Sequence, residues 1–213
     1  MESKKLLSYI IDRDFGFAPN PFNGYCTLAT CKPKTRNIAK VGDWIVGIGG
    51  KNLGDGYRKL IYAMEVTEKL TFNEYWKDER FELKKPIMNG SLKRAYGDNI
   101  YFCEDGQWHQ QNSHHSHEDG TPNEKNIKRD TSSNFVLISD HFYYFGDQAK
   151  SIPKKFDPYI IQGGSNHRRI ENPVIIKKFC KWIQSLVEGE IEKNELIGFP
   201  VHFGKFKRYK GIK

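Results

Sequence analysis

Leu60, Tyr62, Met64 and Val66 fall on one face of an extended chain, and Ile61, Ala63, Glu65 and Thr67 on the other. That period of two fits a strand and excludes a helix over the same residues. Other short segments share its character. Leu6 to Ile11 is apolar and is halted by Asp12-Arg13-Asp14, and Tyr25 to Thr30 is a second short run. Trp44 to Gly49 is β-branched with a glycine-rich exit, and Ile100 to Cys103, Phe135 to Ser139 and Phe142 to Phe145 complete the set. Thr71-Phe72-Asn73-Glu74 has the spacing of a capping box and predicts a short helix through Tyr75 and Trp76. Asn172-Pro173 predicts a helix start, followed by Ile176, Phe179, Cys180, Ile183, Leu186 and Val187 at helical spacing up to Gly189. About seven short strands with a short middle helix and a C-terminal helix indicate an α+β fold on a curled sheet or small β-barrel.

Within this pattern Glu104 to Asn134 stands out as a long polar insertion, with Trp108 and Ile127 as its large apolar residues. It also holds His109, His114, His115 and His117. The reading is a single domain over residues 1–198 with the insertion at 104–134, and a basic tail over 199–213.

Of 213 residues, 34 are Lys or Arg and 26 are Asp or Glu, a net charge of +8. Five positive charges, Lys205, Lys207, Arg208, Lys210 and Lys213, lie in the last ten residues, where no acid is found. Such a cluster favours a polyanionic partner, nucleic acid or nucleotide, through phosphate neutralisation. The 14% aromatic content excludes a disordered tail protein. No apolar run reaches 18 residues, so no membrane helix is expected, and the N-terminus lacks a secretory pattern. A cytoplasmic protein with reduced cysteines is the expectation.

The motifs divide by chemistry. Cys26 and Cys31 have a spacing that zinc can use, but no second pair matches it, so no metal and no cofactor is expected. The histidine cluster has no His-Glu-x-x-His frame. Gly47-Ile48-Gly49-Gly50 lacks a following Gly-Lys-Ser/Thr and fits a turn between strands, where glycine allows positive φ or close approach. Gly163-Gly164-Ser165-Asn166-His167-Arg168-Arg169, just ahead of the Asn172 helix start, combines flexible amides with two arginines and suits a phosphate. No cysteine or serine sits in a nucleophile signature, so enzymatic activity has no support in the motifs. If the chain is an enzyme, His114, His117, Asp140 and His141 are the acid–base candidates. Aromatic residues at loops and strand ends, Phe17, Phe22, Trp44, Trp108 and Tyr143, can wall a base pocket, with Asn20, Asn99 and His114 reading polar edges. Arg168, Arg169, Lys205, Lys207 and Arg208 are the phosphate candidates.

Several blocks carry a family resemblance. Asp14 to Phe22, Tyr25 to Pro33, Val41 to Gly47, Gly97 to Tyr101 and Leu137 to Gly146 together resemble the bacterial and phage family called nucleotide modification associated domain, second type. The resemblance runs from about residue 6 to residue 187 and leaves the basic tail outside. It implies association with nucleotide and DNA modification systems, and it supplies no catalytic residues to carry over. A weaker likeness, Gly42-Asp43 before a hydrophobic strand and a second strand ending in Glu65-Val66-Thr67, is similar to PUA-like domains of the EVE, YTH and ASCH group. There a small β-barrel grips a nucleobase. The resulting expectation is a PUA-like protein that binds nucleic acid or a nucleotide and recognises a modified base. An enzyme acting on a nucleotide or DNA base, transferase or hydrolase, and a sequestering protein for a signalling nucleotide are the alternatives.

Overall fold

The structure, a computed structural model, describes residues 4–160, 167–187 and 194–209. The chain divides into two compact units, each assembled from segments distant in sequence.

The first unit draws on residues 1–14, 39–67 and 139–202. Its sheet runs in the order Arg168–Ile170, Leu6–Ile11, Trp44–Gly49, Lys59–Glu65, His141–Tyr144 and Asn194–Leu196, with Lys150–Ser151 pairing onto Lys59–Glu65. Leu6–Ile11 and Trp44–Gly49 run parallel, from Leu6↔Trp44 to Ile11↔Gly49. A parallel pair needs a long crossover, and residues 15–38 of the second unit lie within it. The strand forms over 59–65, where the alternation predicts one, and it is central and buried along nearly its whole length. The glycine exit is a site of close approach. A Cβ on Gly49 would lie 1.9 Å from the Gly56 carbonyl oxygen, so only glycine fits there. The late helix spans Pro173–Ser185. The Asn172 side chain accepts from the N–H groups of Val174 and Ile175, and Ile176, Phe179 and Ile183 join the buried core with Leu6, Val46 and Leu60. The sheet is an open one, and no closed barrel forms among the described residues. The expected α+β class holds in that coarser form.

The second unit draws on residues 15–38, 68–138 and 203–213. A three-stranded sheet, Cys26–Leu28, Phe135–Ser139 and Glu68–Thr71, leads into the helix Phe72–Lys77. That helix starts with the predicted capping box: Thr71 Oγ1 accepts from Glu74 N–H, and the Glu74 carboxylate accepts from Thr71 N–H at 2.7 Å. The polar insertion is built rather than looped out. Tyr101–Glu104 and Gln107–Gln110 form a hairpin across Asp105 and Gly106, both at positive φ (49° and 77°). Asp-Gly is the pair that such a tight turn selects. A helix then covers Glu124–Asp130, capped by the Asn123 side chain. Its buried core gathers Phe15, Phe17, Phe72, Tyr75, Phe81, Tyr96, Tyr101 and Val136, with Phe206 of the basic tail packed against it. No helix among the described residues is long and apolar enough to cross a membrane.

Candidate active site

Three side chains of the second unit meet in one line: Cys31, from the segment 15–38, and His115 and Asp130, from the segment 68–138. Cys31 Sγ lies 3.7 Å from His115 Nε2, and His115 Nδ1 lies 2.7 Å from Asp130 Oδ2. His115 and Asp130 are buried, while Cys31 is half-buried.

The backbone explains how the thiol is presented. Cys31 and Lys32 both take left-handed φ, 56° and 41°, immediately before Pro33 opens the helix Pro33–Ile38. Each such residue costs roughly 1–3 kcal/mol and persists only where the surroundings impose it. Here Cys31 N–H donates to Asp130 Oδ1 at 3.0 Å, and the Cys31 carbonyl accepts from Arg36 Nε at 2.9 Å. The fully buried Arg36 guanidinium also donates to the carbonyls of Ser133, Phe135 and Asp130. Arg36 thus fastens the thiol turn to the end of the Asp130 helix, and its donors are spent on backbone.

Asp130 is saturated with donors. Beyond His115 and Cys31 N–H, it accepts from Tyr101 Oη at 2.9 Å and from Arg129 Nε at 2.9 Å. Gln110 Nε2 donates to Tyr101 Oη, and both Gln110 and Asn126 donate to the His115 carbonyl. The imidazole is therefore held at its ring and at its backbone. Burial alone would raise the Asp130 carboxyl, but His115 and Arg129 overcome it and hold the group well below the usual carboxylate range. For His115, burial works against protonation, yet Asp130 and Cys31 lift it to about 9. Burial pushes the Cys31 thiol up, and the charge and hydrogen bond of His115 bring it below its ordinary value. Both directions favour the charged forms, thiolate and imidazolium, with a carboxylate orienting the ring, which is the arrangement of an activated sulfur nucleophile.

The same three residues could be taken for a metal site, since their ligand atoms lie within 4.8 Å of one another. The directions argue otherwise. Cys31 and Asp130 address opposite nitrogens of one imidazole, so a single ion bound at Nε2 cannot also receive Asp130. Both Asp130 oxygens are already occupied, and Arg129 reaches His115 Nδ1 at 3.3 Å.

Aromatic rings surround the two histidines. Phe17 meets His115 edge-on at 4.6 Å and His114 at 4.9 Å, and Tyr209 lies 5.3 Å from the His115 ring. Residues 208 and 209 are strapped to the histidine loop, Arg208 Nη1 donating to the Ser113 carbonyl and Tyr209 N–H to the His114 carbonyl, while Lys207 N–H donates to Tyr96 Oη beyond it. His114 Nδ1 in turn donates to the Lys207 carbonyl. Beside the loop, a cleft of about 590 Å³ is lined by residues including Ser116, His117, Asn123, Lys125 and Arg208. The segments that build the site also carry buried oxygens without a partner, on Thr30, Thr35, Asn126 and Ser133. Groups left so in a native fold call for an explanation such as water or ligand.

The residues picked from sequence are spread more widely. Phe17, Asn20, Phe22, Asn99, Trp108, His114 and His117 belong to the second unit. Asn20 is used by the fold, its Nδ2 donating to the Tyr96 carbonyl and its Oδ1 accepting from Lys84 and Phe22 N–H. Asn99 Nδ2 donates to the carbonyls of Tyr75 and Phe81. Phe22 is buried against Phe203, and Trp108 meets Phe72 edge-on. Lys205 and Lys207 are exposed, and Arg208 borders the cleft. In the first unit, Trp44, Glu65 and His141 form one row across three neighbouring strands. His141 Nδ1 lies 2.9 Å from Glu65 Oε2, and its Nε2 lies 3.3 Å from Tyr143 Oη. Asp140 is exposed, with its N–H donated to Thr67 Oγ1. Arg168 donates to the Pro158 carbonyl, and Arg169 pairs with Glu171. Of the glycine-rich phosphate candidate, residues 163–166 lie outside the described residues.

Sequence reasoning missed Cys31, His115 and Asp130 as a group. The readable signals were a single cysteine in front of Lys-Pro and a histidine cluster. Separations of 84 and 15 residues carry no local motif. A family model described as nucleotide modification associated domain 2 matches residues 3–204. No curated protein and no solved structure matches the chain.

Proposed function

The chain belongs to the nucleotide modification associated domain 2 family, and from that premise we propose that it is a thiol-dependent enzyme of nucleotide or nucleic-acid modification, with Cys31 as nucleophile. The observation that carries this reading is the line Cys31–His115–Asp130. His115 acts as general acid and base at Nε2, and Asp130 fixes the Nδ1–H tautomer and balances the imidazolium charge. Arg129 and the tail residues Lys205, Lys207 and Arg208 supply positive charge for an anionic substrate, which a nucleotide is. His117, on the cleft wall, is the further acid–base candidate on this face.

The test compares cells expressing the unaltered chain with cells expressing Cys31→Ser, by mass spectrometry of their nucleosides and nucleotides. An altered nucleoside that appears only with the intact thiol supports the proposal. Identical pools, together with a Cys31 thiol that alkylates no faster than Cys103, would sink it.

A second reading keeps base recognition in the first unit, on a PUA-like sheet, and rests on the Trp44–His141–Tyr143 cluster. A modified nucleoside that quenches Trp44 fluorescence in the Cys31→Ser chain would favour it. Quenching unchanged by Trp44→Phe would count against it.

A further inference from the structure

We infer that the group taken up by Cys31 is an acyl group: the electrophile is a carbonyl carbon bearing an amine, alcohol or thiol leaving group, and the covalent intermediate is a thioester. The inference rests on the reading of Cys31 as nucleophile and adds the class of substrate.

A thiolate beside a protonated imidazole can open several reactions, and each needs different neighbours. Disulfide exchange needs a second thiol, and Cys31 shares its site with His115 and Asp130 rather than with sulfur; none of the four cysteines forms a disulfide. Phosphoryl transfer to sulfur needs a cradle of donors around the thiolate. Here Cys31 N–H is bonded to Asp130 and Arg36 donates into backbone carbonyls, so Arg129 is one guanidinium rather than a cradle.

Acyl substitution uses each part in turn. The Cys31 sulfur bonds to the carbonyl carbon, and the carbonyl electron pair moves onto oxygen. The pair returns, the bond from carbon to the leaving nitrogen, oxygen or sulfur breaks, and His115 Nε2 gives that atom its proton. A thioester and a neutral imidazole remain. An acceptor amine, hydroxyl or water then attacks the thioester, His115 Nε2 takes the acceptor's proton, and the thiolate departs. Atoms and charge balance with no further reagent. Because Cys31 N–H is engaged by Asp130, the oxyanion must be met by another donor. The part-buried Arg129 guanidinium gives Nε to Asp130 and has Nη2 3.3 Å from His115 Nδ1, and its remaining N–H groups are the candidate donors.

The experiment is intact-mass and peptide mapping of the full chain after brief exposure to p-nitrophenyl acetate and, separately, to iodoacetamide at roughly pH 6. The expected result is one hydroxylamine-labile acetyl on Cys31, formed about 100-fold faster than on Cys103 and slowed by that factor in His115→Ala. Arg129→Gln is expected to slow acetylation more than alkylation, since only the former develops an oxyanion. If Cys31 alkylates rapidly at that pH but acetylates no faster than Cys103, the acyl inference is overturned and the nucleophile stands. If it alkylates no faster than Cys103, the nucleophile itself falls.

Discussion

His115 and Asp130 hold each other at 2.7 Å with side chains 2% and 0% exposed, and the same imidazole presents its other nitrogen to Cys31. One buried ring thus links a carboxylate that is fully committed to donors with the thiol of a half-buried cysteine. The cost of desolvating these charges is offset only because every partner is placed by the fold.

Titration of this group has opposing signs. His115 is raised from 6.5 to about 9, so its contribution to stability is complete below about pH 6.5 and is lost as pH rises through about 9. Cys31 is lowered from 9.0, so its contribution is present above that value and is lost as pH falls through the folded-state value. The groups facing His115 are Asp130, Arg129 and Cys31, with Arg36 and Tyr101 bound to Asp130 or its carbonyl. Above about pH 6.5 the two slopes oppose each other in the unaltered chain. In Cys31→Ala the opposing slope is gone while Asp130 still raises His115, so stability should fall more steeply above pH 6.5 than in the unaltered chain, up to a folded value below about 9 because Cys31 no longer lifts the imidazole. Urea unfolding at several pH values reads the difference. Parallel curves for the two chains would refute the ion pair.

Asp130→Asn keeps the shape and removes the charge. It also places an amide against Tyr101, Arg129 and Cys31 N–H, all of which donate to the carboxylate. Breaking a buried pair in this way costs about 3–5 kcal/mol. His115 loses the strongest influence that keeps it protonated, and with it goes the charge that lowers the Cys31 thiol; this outweighs the removal of Asp130's own upward push on the thiol, so alkylation at neutral pH should slow. Iodoacetamide rates on the folded variant measure this. Unchanged rates would separate Asp130 from the thiol.

Much of the fold was legible because local rules decided it. The alternation of Leu60 to Val66, the Thr71 to Glu74 capping box and the Asn172-Pro173 helix start depend on residues a few positions apart, and each appears where expected. The Asp105-Gly106 hairpin was equally local but lay inside a polar stretch whose composition masked it. The site was not legible for a physical reason. The left-handed turn at Cys31 is imposed by Asp130 and Arg36 from far along the chain, and neither cysteine nor lysine announces it. His114 and His117 drew notice through the cluster they share, while His115 between them faces Asp130.

The triad geometry also predicts indifference to metals. A closed zinc site wants four ligands around one ion, whereas Cys31 and His115 Nε2 offer two, with Asp130 turned to the far nitrogen. Exhaustive chelation should leave both the melting temperature and the alkylation rate of Cys31 unchanged. A melting temperature that drops with chelator and recovers with zinc would overturn the assignment.

Lys84 gives a prediction independent of the thiol. Its ammonium is buried and donates to the Asn20 carbonyl, Asn20 Oδ1 and the Tyr25 carbonyl at 3.1, 2.8 and 2.9 Å. Burial lowers it to about 8, and buried Asp98 opposes that only in part. A lysine depressed in the folded state binds its proton more weakly there than when unfolded, so stability rises with pH between about 8 and 10.5. Lys84→Met removes the charge and takes one donor from each of three buried acceptors, but Asn20 Oδ1 keeps Phe22 N–H and the Asn20 carbonyl keeps Thr27 N–H. The Tyr25 carbonyl loses its donor, at about 1–3 kcal/mol, and buried Asp98 loses a neighbouring cation. Against this stands a relief of roughly 3 kcal/mol from no longer burying an ammonium shifted by this much. The variant should therefore lie within about 2 kcal/mol of the original at neutral pH and lose the rise above pH 8. Chemical denaturation of both chains across that range decides it, and a Lys84→Met chain that keeps the rise would show that another group titrates there.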